Sequence, residues 1–247
     1  MADRRVTVAC LGASSTAGKG QAFDWIGELR RRRVNAHVRF VNLGVGGDFA
    51  GDALRRVPQV LACRPDQIIV WVGGNDVLAA LSRHFYRVAS HLLRKTVPRP
   101  PSPEAYRDAL QATARALKSG TAARLALCSL APIGEAPHAT DPFQAALNRR
   151  VAEYSGIVAA IAHAEGVAYI PIYEALSDQI RKAPGQAFTG FRFVPFLHDA
   201  FRTMIFRESV DKIARRNGWR FHSDGMHLNS RSGMMVADLV QEFVNEG

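Results

Sequence analysis

The sequence has 247 residues, 47% of them hydrophobic and 22% charged, a composition that fits an ordered globular chain and excludes a low-complexity or disulfide-scaffold class. A formal net charge of +10 favours anionic partners such as phosphate-bearing substrates, anionic lipid surfaces or nucleic acid, without choosing among them. Three cysteines, an odd number without metal-ligand spacing, speak against a zinc site and fit a reducing, cytoplasmic compartment.

Residues 1–5 are polar, and the apolar stretch that follows ends at Gly12, too soon for a signal peptide or a membrane span. The mature chain is therefore expected to start here. A lipoprotein-like reading of Val8-Ala9-Cys10 lacks the apolar run it needs, and Cys10 and Cys128 read as small buried hydrophobes. Residues 6–11 form a continuous apolar run that meets Gly-Ala-Ser-Ser-Thr-Ala-Gly, the pattern of a buried parallel strand and its turn. A helix is predicted over 22–33, a second strand over 37–43, a helix over 52–62 and a third strand over 67–72. Apolar residues at helical spacing (Leu78, Leu81, Phe85, Val88, Leu92) predict a helix over 77–96, followed by a stiff proline-rich connector at 98–103. Then come a helix over 104–118, a strand over 124–130, a helix over 143–165, a strand over 167–172 and a last helix over 230–244.

This alternation predicts a flavodoxin-like three-layer α/β/α sandwich around a five-stranded parallel sheet, because each crossover must return to the same end of the sheet. One domain spanning 1–247 is expected, with insertions at about 77–103 and 181–220. In such sheets ligands bind beyond the carboxyl ends of the strands, and the glycine and polar clusters do follow strands one, two and three.

Ser14 falls in the first of these turns, where a side chain projects from the sheet edge and backbone N–H groups point outward; it reads as a nucleophile or, more plainly, as a turn or cap residue. Asp224 and His227 stand three apart, so one short turn can aim both at a point, with the carboxylate orienting an imidazole that takes a proton; a structural hydrogen bond is the plainer reading. Asn75, in Gly73-Gly74-Asn75-Asp76, and Gly47, in Gly44-Val45-Gly46-Gly47-Asp48, are candidate donors to an oxyanion, or simply loop and cap residues.

Taken together and in this order, the blocks Leu11-Gly12-Ala13-Ser14-Ser15-Thr16, Gly44 to Asp48, Gly73 to Asp76 and Asp224-Gly225-Met226-His227-Leu228-Asn229 resemble those of the SGNH (GDSL-like) hydrolase family over nearly the whole chain. The resemblance implies a serine ester hydrolase acting on acylated lipids, lysophospholipids or other carboxylic esters. It makes Ser14 the nucleophile, His227 the general base and Asp224 its orienting carboxylate, with the Ser14 N–H, Gly47 and Asn75 as the oxyanion hole and no cofactor or metal. Ala13 departs from the pattern, since the family usually carries aspartate beside the nucleophile, and Ser15 is the alternative nucleophile. Acyl transfer or thioester hydrolysis on the same residues, or a partner-binding protein that keeps the fold, are the alternatives.

The stretch 181–220 carries nine cationic side chains against three acidic ones, six of the ten net positive charges, together with six phenylalanines and Trp219. It is expected to cap the site, with phenylalanines lining an acyl pocket and arginines meeting an anionic group or an anionic membrane; the plainer reading is core plus a solvated face. Arg30 to Arg33 end a helix, where cations complement the helix dipole, so no nucleic-acid partner is expected. The oligomeric state is not legible.

Overall fold

The computed structural model describes residues 5–92 and 101–246, with backbone alone at 91 and 92. The first strand, β1 (Val6–Gly12), pairs in parallel with β2 (Val38–Gly44) on one side and β3 (Gln67–Trp71) on the other. β4 (Arg124–Cys128) and β5 (Ala168–Ile170) extend the β3 side, giving a sheet of order β2-β1-β3-β4-β5 that is parallel throughout.

Successive strand residues point to opposite faces, and β1 distributes its side chains accordingly. Ala9 and Leu11 enter one core with α3 (Ala50–Arg55), α4 (Val57–Ala62), α5 (Gly74–Leu81), α6 (Arg83–Leu92), α7 (Pro103–Gly120) and α8 (Pro142–Glu165). Val8 and Cys10 enter the other, with α2 (Trp25–Arg31), α9 (Ile172–Lys182) and α12 (Ser230–Asn245). The three-layer α/β/α sandwich is thus two apolar cores separated by one sheet. Burial pushes the Cys10 thiol up to about 12, so it packs as a neutral hydrophobe.

Several helices differ from the sequence expectation for local reasons. The expected helix over 22–33 starts only at Trp25, where Asp24 accepts from the Gly27 N–H at 2.8 Å, while Ser14–Ala17 forms a separate turn of helix, α1. The expected helix over 52–62 breaks at Arg56, and Pro58 opens the next segment. The long helix expected over 77–96 breaks at Ser82, whose hydroxyl accepts from the Phe85 N–H and so starts a second helix; residues 93–96 and the proline segment 98–100 lie outside the described residues. The fifth strand is shorter than expected because Pro171 stands at the N-cap of α9, a helix absent from the sequence reading. The region 181–220 adds α10 (Phe193–Ile205) and α11 (Val210–Asn217). No helix among the described residues is long and apolar enough to cross a membrane.

The arginine run at the end of α2 is engaged locally: Arg30 donates to the Phe40 carbonyl at 2.9 Å, Arg31 pairs with Glu28 at 3.0 Å and Arg32 with Asp238 at 2.7 Å.

Two glycine substitutions should move stability in opposite directions. A Cβ at Gly44 would overlap the backbone of Thr16 and Ala17, so Gly44→Ala should lower stability by about 1–3 kcal/mol, since backbone cannot rotate away. At Gly156, exposed within α8 with open space around it, alanine should raise stability by roughly 0.5–1 kcal/mol by restricting the unfolded chain. Urea unfolding of both variants checks the pair.

Candidate active site

The loops after β1 and β3 leave the sheet where the strand order reverses, and the residues singled out from the sequence gather there. Ser14 is the first residue of α1, immediately beyond β1. Its Oγ lies 2.9 Å from His227 Nε2, and His227 Nδ1 lies 2.7 Å from Asp224 Oδ2, linking side chains 213 positions apart in sequence. A carboxylate only accepts, so Nδ1 carries the ring proton and Nε2 presents a lone pair to the Ser14 hydroxyl. The other carboxylate oxygen, Asp224 Oδ1, accepts from the backbone N–H groups of Met226 and His227 at 2.9 and 2.8 Å. The carboxylate therefore fixes the turn as well as the ring. Burial alone would raise the Asp224 pKa, but the His227 charge and these hydrogen bonds hold it below the usual carboxylate value. For His227 burial acts downward, and the Asp224 charge and hydrogen bond outweigh it, leaving the imidazole more basic than an ordinary histidine. An imidazole in this state can take a hydroxyl proton and stabilise itself against the carboxylate. Ser15, the alternative, lines the same cavity but has the indole N–H of Trp25 on its carbonyl at 3.0 Å; the imidazole meets Ser14.

Gly47 and Asn75 line the cavity beside Ser14. Gly47 is in the left-handed region with φ of 78°, which glycine adopts without strain. One N–H of the Asn75 amide donates to the Asp48 carbonyl at 2.8 Å, tying the second loop to the third and leaving the other for a ligand. Asp76 does not cap its own helix. Its carboxyl accepts from the Ala50 N–H at the start of α3, at 3.1 Å, and burial pushes its pKa up to about 8.

Two contributors, Arg56 and Glu135, went unread in the sequence. Arg56 donates to the carbonyls of Gly12, at 2.9 Å, and Leu43, and pairs with buried Asp48; it can do so because the helix breaks at Arg56. This bracket and the Trp25 contact support the turn that carries Ser14, where Ala13 packs its methyl group into the core. Glu135 follows β4 and is 0% exposed. It accepts from the backbone N–H groups of Arg220, Phe221 and His222, and its Oε1 lies 3.0 Å from the His222 ring. It thereby sets the path of the chain that delivers Asp224 and His227. Burial acts to raise the Glu135 pKa, and His222 and the backbone donors outweigh it, so the carboxyl sits below its ordinary 4.5. Phe196 of α10 stacks at a tilt on His227, with ring centroids 6.0 Å apart.

The cavity around these groups has a volume of about 320 Å³. A row of rings leads away from the imidazole: Phe196 to Phe191 at 5.5 Å, then Phe191 to Phe85 at 5.0 Å, reaching α6, where Val88 and Ala89 add to the wall. The insertion both lines the cavity and adds to the core. Phe191, Phe193 and Phe196 line the cavity, and Phe188 and Trp219 pack with the core.

A family model described as the GDSL-like Lipase/Acylhydrolase family matches residues 10–231. No curated protein matches the sequence. Among solved structures, the acetyl xylan esterase AlAXEase is similar at 20% identity and a TM-score of 0.63, covering 97% of this chain and 100% of its own. The lipase/acylhydrolase from Enterococcus faecalis is similar at 17% identity and a TM-score of 0.59, covering 97% and 95%. Axe2, an acetylxylan esterase from Geobacillus stearothermophilus, is similar at 17% identity and a TM-score of 0.62, covering 96% and 93%. Catalytic mutants of Axe2 have been solved in which alanine replaces a serine, a histidine or an aspartate.

Replacing Glu135 by Gln puts an NH2 group among three backbone donors and should destabilise the protein by about 2–4 kcal/mol at neutral pH. The folded-state pKa is depressed, so the carboxylate's contribution is full above 4.5 and fades as pH falls through the folded value. The gap between parent and variant in thermal unfolding should therefore narrow below pH 4.5.

Proposed function

The chain belongs to the GDSL-like lipase/acylhydrolase family and is a carboxylic ester hydrolase, and from that premise we propose that it works through an acyl-enzyme on Ser14, with an acyl group held in the aromatic cavity. The observation that carries the reading is the hydrogen-bonded series Ser14, His227, Asp224 at the edge of that cavity. Ser14 Oγ attacks the ester carbonyl while its proton passes to His227 Nε2, and the carbonyl oxygen becomes an oxyanion. The N–H groups of Ser14 and Gly47 and the free N–H of Asn75 are the donors for it, a set whose loss one at a time typically costs about 10²–10³ in rate. Collapse expels the alcohol, which takes the proton from His227. Water then attacks the acyl carbon with His227 as base, and the acid leaves as Ser14 regains its proton. Asp224 keeps the imidazole in the required tautomer and stabilises the imidazolium between these transfers. Intact geometry across the series favours catalysis over a binding protein that merely keeps the fold. Transfer to an alcohol or thioester cleavage would use the same residues, and the ratio of hydrolysis to transfer with added alcohol separates them.

The cavity supports an acyl group larger than acetyl. Its volume lies in the roughly 300–1,000 Å³ range of pockets that enclose a whole small ligand, and its far wall is apolar. Acylated lipids and lysophospholipids are the substrates this reading favours.

Ser14→Ala should lose labelling by a fluorophosphonate probe and reduce aryl ester turnover by about 10³-fold or more, and full turnover in folded Ser14→Ala would sink the assignment. In the parent, kcat/KM should rise with pH, because only neutral His227 accepts the proton, and the acid limb should lie above the ordinary histidine value of 6.5. Asp224→Asn should shift that limb downward and slow turnover by about 10³–10⁴-fold. Along the cavity, Ala89→Phe should cut kcat/KM for octanoyl esters by about tenfold or more while leaving acetyl esters within about threefold. An unchanged chain-length profile would place the acyl group elsewhere.

A further inference from the structure

Helix α10 has two apolar faces, and only one of them is accounted for by the cavity. Phe193 and Phe196 point to the site, while six of the nine exposed large hydrophobic side chains among the described residues lie between 194 and 206. Val194, Leu197, Phe201, Met204 and Ile205 recur at helical spacing and are 48% to 75% exposed, forming an outward stripe. Phe206 continues it beyond the helix. Asp199 is the single buried residue of α10, and the helix is tied down by polar contacts: Asn217 to Asp199 at 2.7 Å and Gln21 to the Phe196 carbonyl at 2.6 Å. Water is a poor neighbour for such a stripe, and a contiguous apolar patch ringed by polar groups marks a surface built to meet something.

We propose that the outer face of α10 docks on an anionic lipid surface, so that ester substrates reach the cavity from that surface. This rests on the hydrolase reading for what enters the cavity, and on the surface alone for the docking. Three observations favour lipid. The stripe sits in the segment that carries six of the ten net positive charges, with Arg192 and Arg207 exposed at its two ends, the layout of an interfacial amphipathic helix. Leu197 is both exposed and part of the cavity lining, so stripe and cavity are continuous. A second copy of the chain would oppose this face with its own cations, and six side chains fall far short of the roughly 20–30 residues a side of a stable protein interface.

The test is sedimentation of the full chain with vesicles of phosphatidylcholine alone or mixed with phosphatidylglycerol, alongside turnover of a water-soluble aryl acetate. Parent protein should sediment with the mixed vesicles, less so with phosphatidylcholine, and release as salt is raised. The combined variant Val194→Ser, Phe201→Ser, Met204→Ser, Ile205→Ser should sediment about tenfold less while hydrolysing the soluble acetate within about twofold of the parent, which also reports that it folds. Ser14→Ala should sediment like the parent, so docking is read independently of catalysis. The proposal is overturned if the parent ignores anionic vesicles, if the serine variant binds them as well as the parent, or if light scattering finds a parental dimer that the variant dissolves.

Discussion

Two neighbouring parallel strands, β1 and β3, send the chain away in opposite directions from the same end of the sheet, and that constraint creates the site. The turn after β1 leads toward β2 and the turn after β3 leads away from it, so a crevice opens between them with no strand to fill it. Everything that follows is a matter of crowding the right groups into that crevice. The crowding is severe: Gly12 and Gly44 have no room for a methyl group, because α1 and the β3 carbonyl edge come down directly on them. Close backbone approach is what allows a serine at the start of α1 to share one space with Asn75 at the start of α5.

The remaining partner comes from the other end of the chain, and its delivery is electrostatic. The segment before Asp224, which carries His227 toward Ser14, is pinned on the Glu135 carboxylate, beyond β4. A charge buried this fully persists only where donors surround it, and here they are mostly backbone N–H groups, whose positions are set by the chain itself. Asp224 repeats the device on a smaller scale, using one oxygen for the ring and the other for the turn. Positioning and chemistry thus draw on the same kind of contact, with the carboxylate as the fixed point in both cases.

Much of this was legible in the sequence, and the reasons differ by element. β1, β3 and β4 are apolar runs buried on both faces, so hydrophobicity alone marks them. The turns after β1, β2 and β3 were readable because glycine and small polar residues concentrate where the backbone must turn tightly, whereas Ser14, Asn75, Asp224 and His227 stood out only through the ordered resemblance of their blocks to the family's. The breaks at Arg56 and Ser82 were missed because apolar periodicity runs straight through both; Pro58 was the one local signal at the first, and at the second the Ser82 hydroxyl takes the Phe85 N–H and restarts the helix. Glu135 was invisible for a simpler reason. A single acidic residue in a loop has no period or spacing, and its partners lie 85 to 87 positions away. The insertion was half legible: its aromatic and cationic content announced a special surface, but which phenylalanines face inward depends on where α10 lies.

The ring of Phe196 has one further implication. It belongs to the wall of the cavity, and at 6.0 Å it also covers the imidazole on which proton transfer depends. Tilting or lifting α10 would expose that ring to solvent, relieving the burial that works against its protonation while weakening the attraction of Asp224 through a medium of higher dielectric. The placement of one surface helix therefore bears on the surroundings of the imidazole as well as on the shape of the cavity.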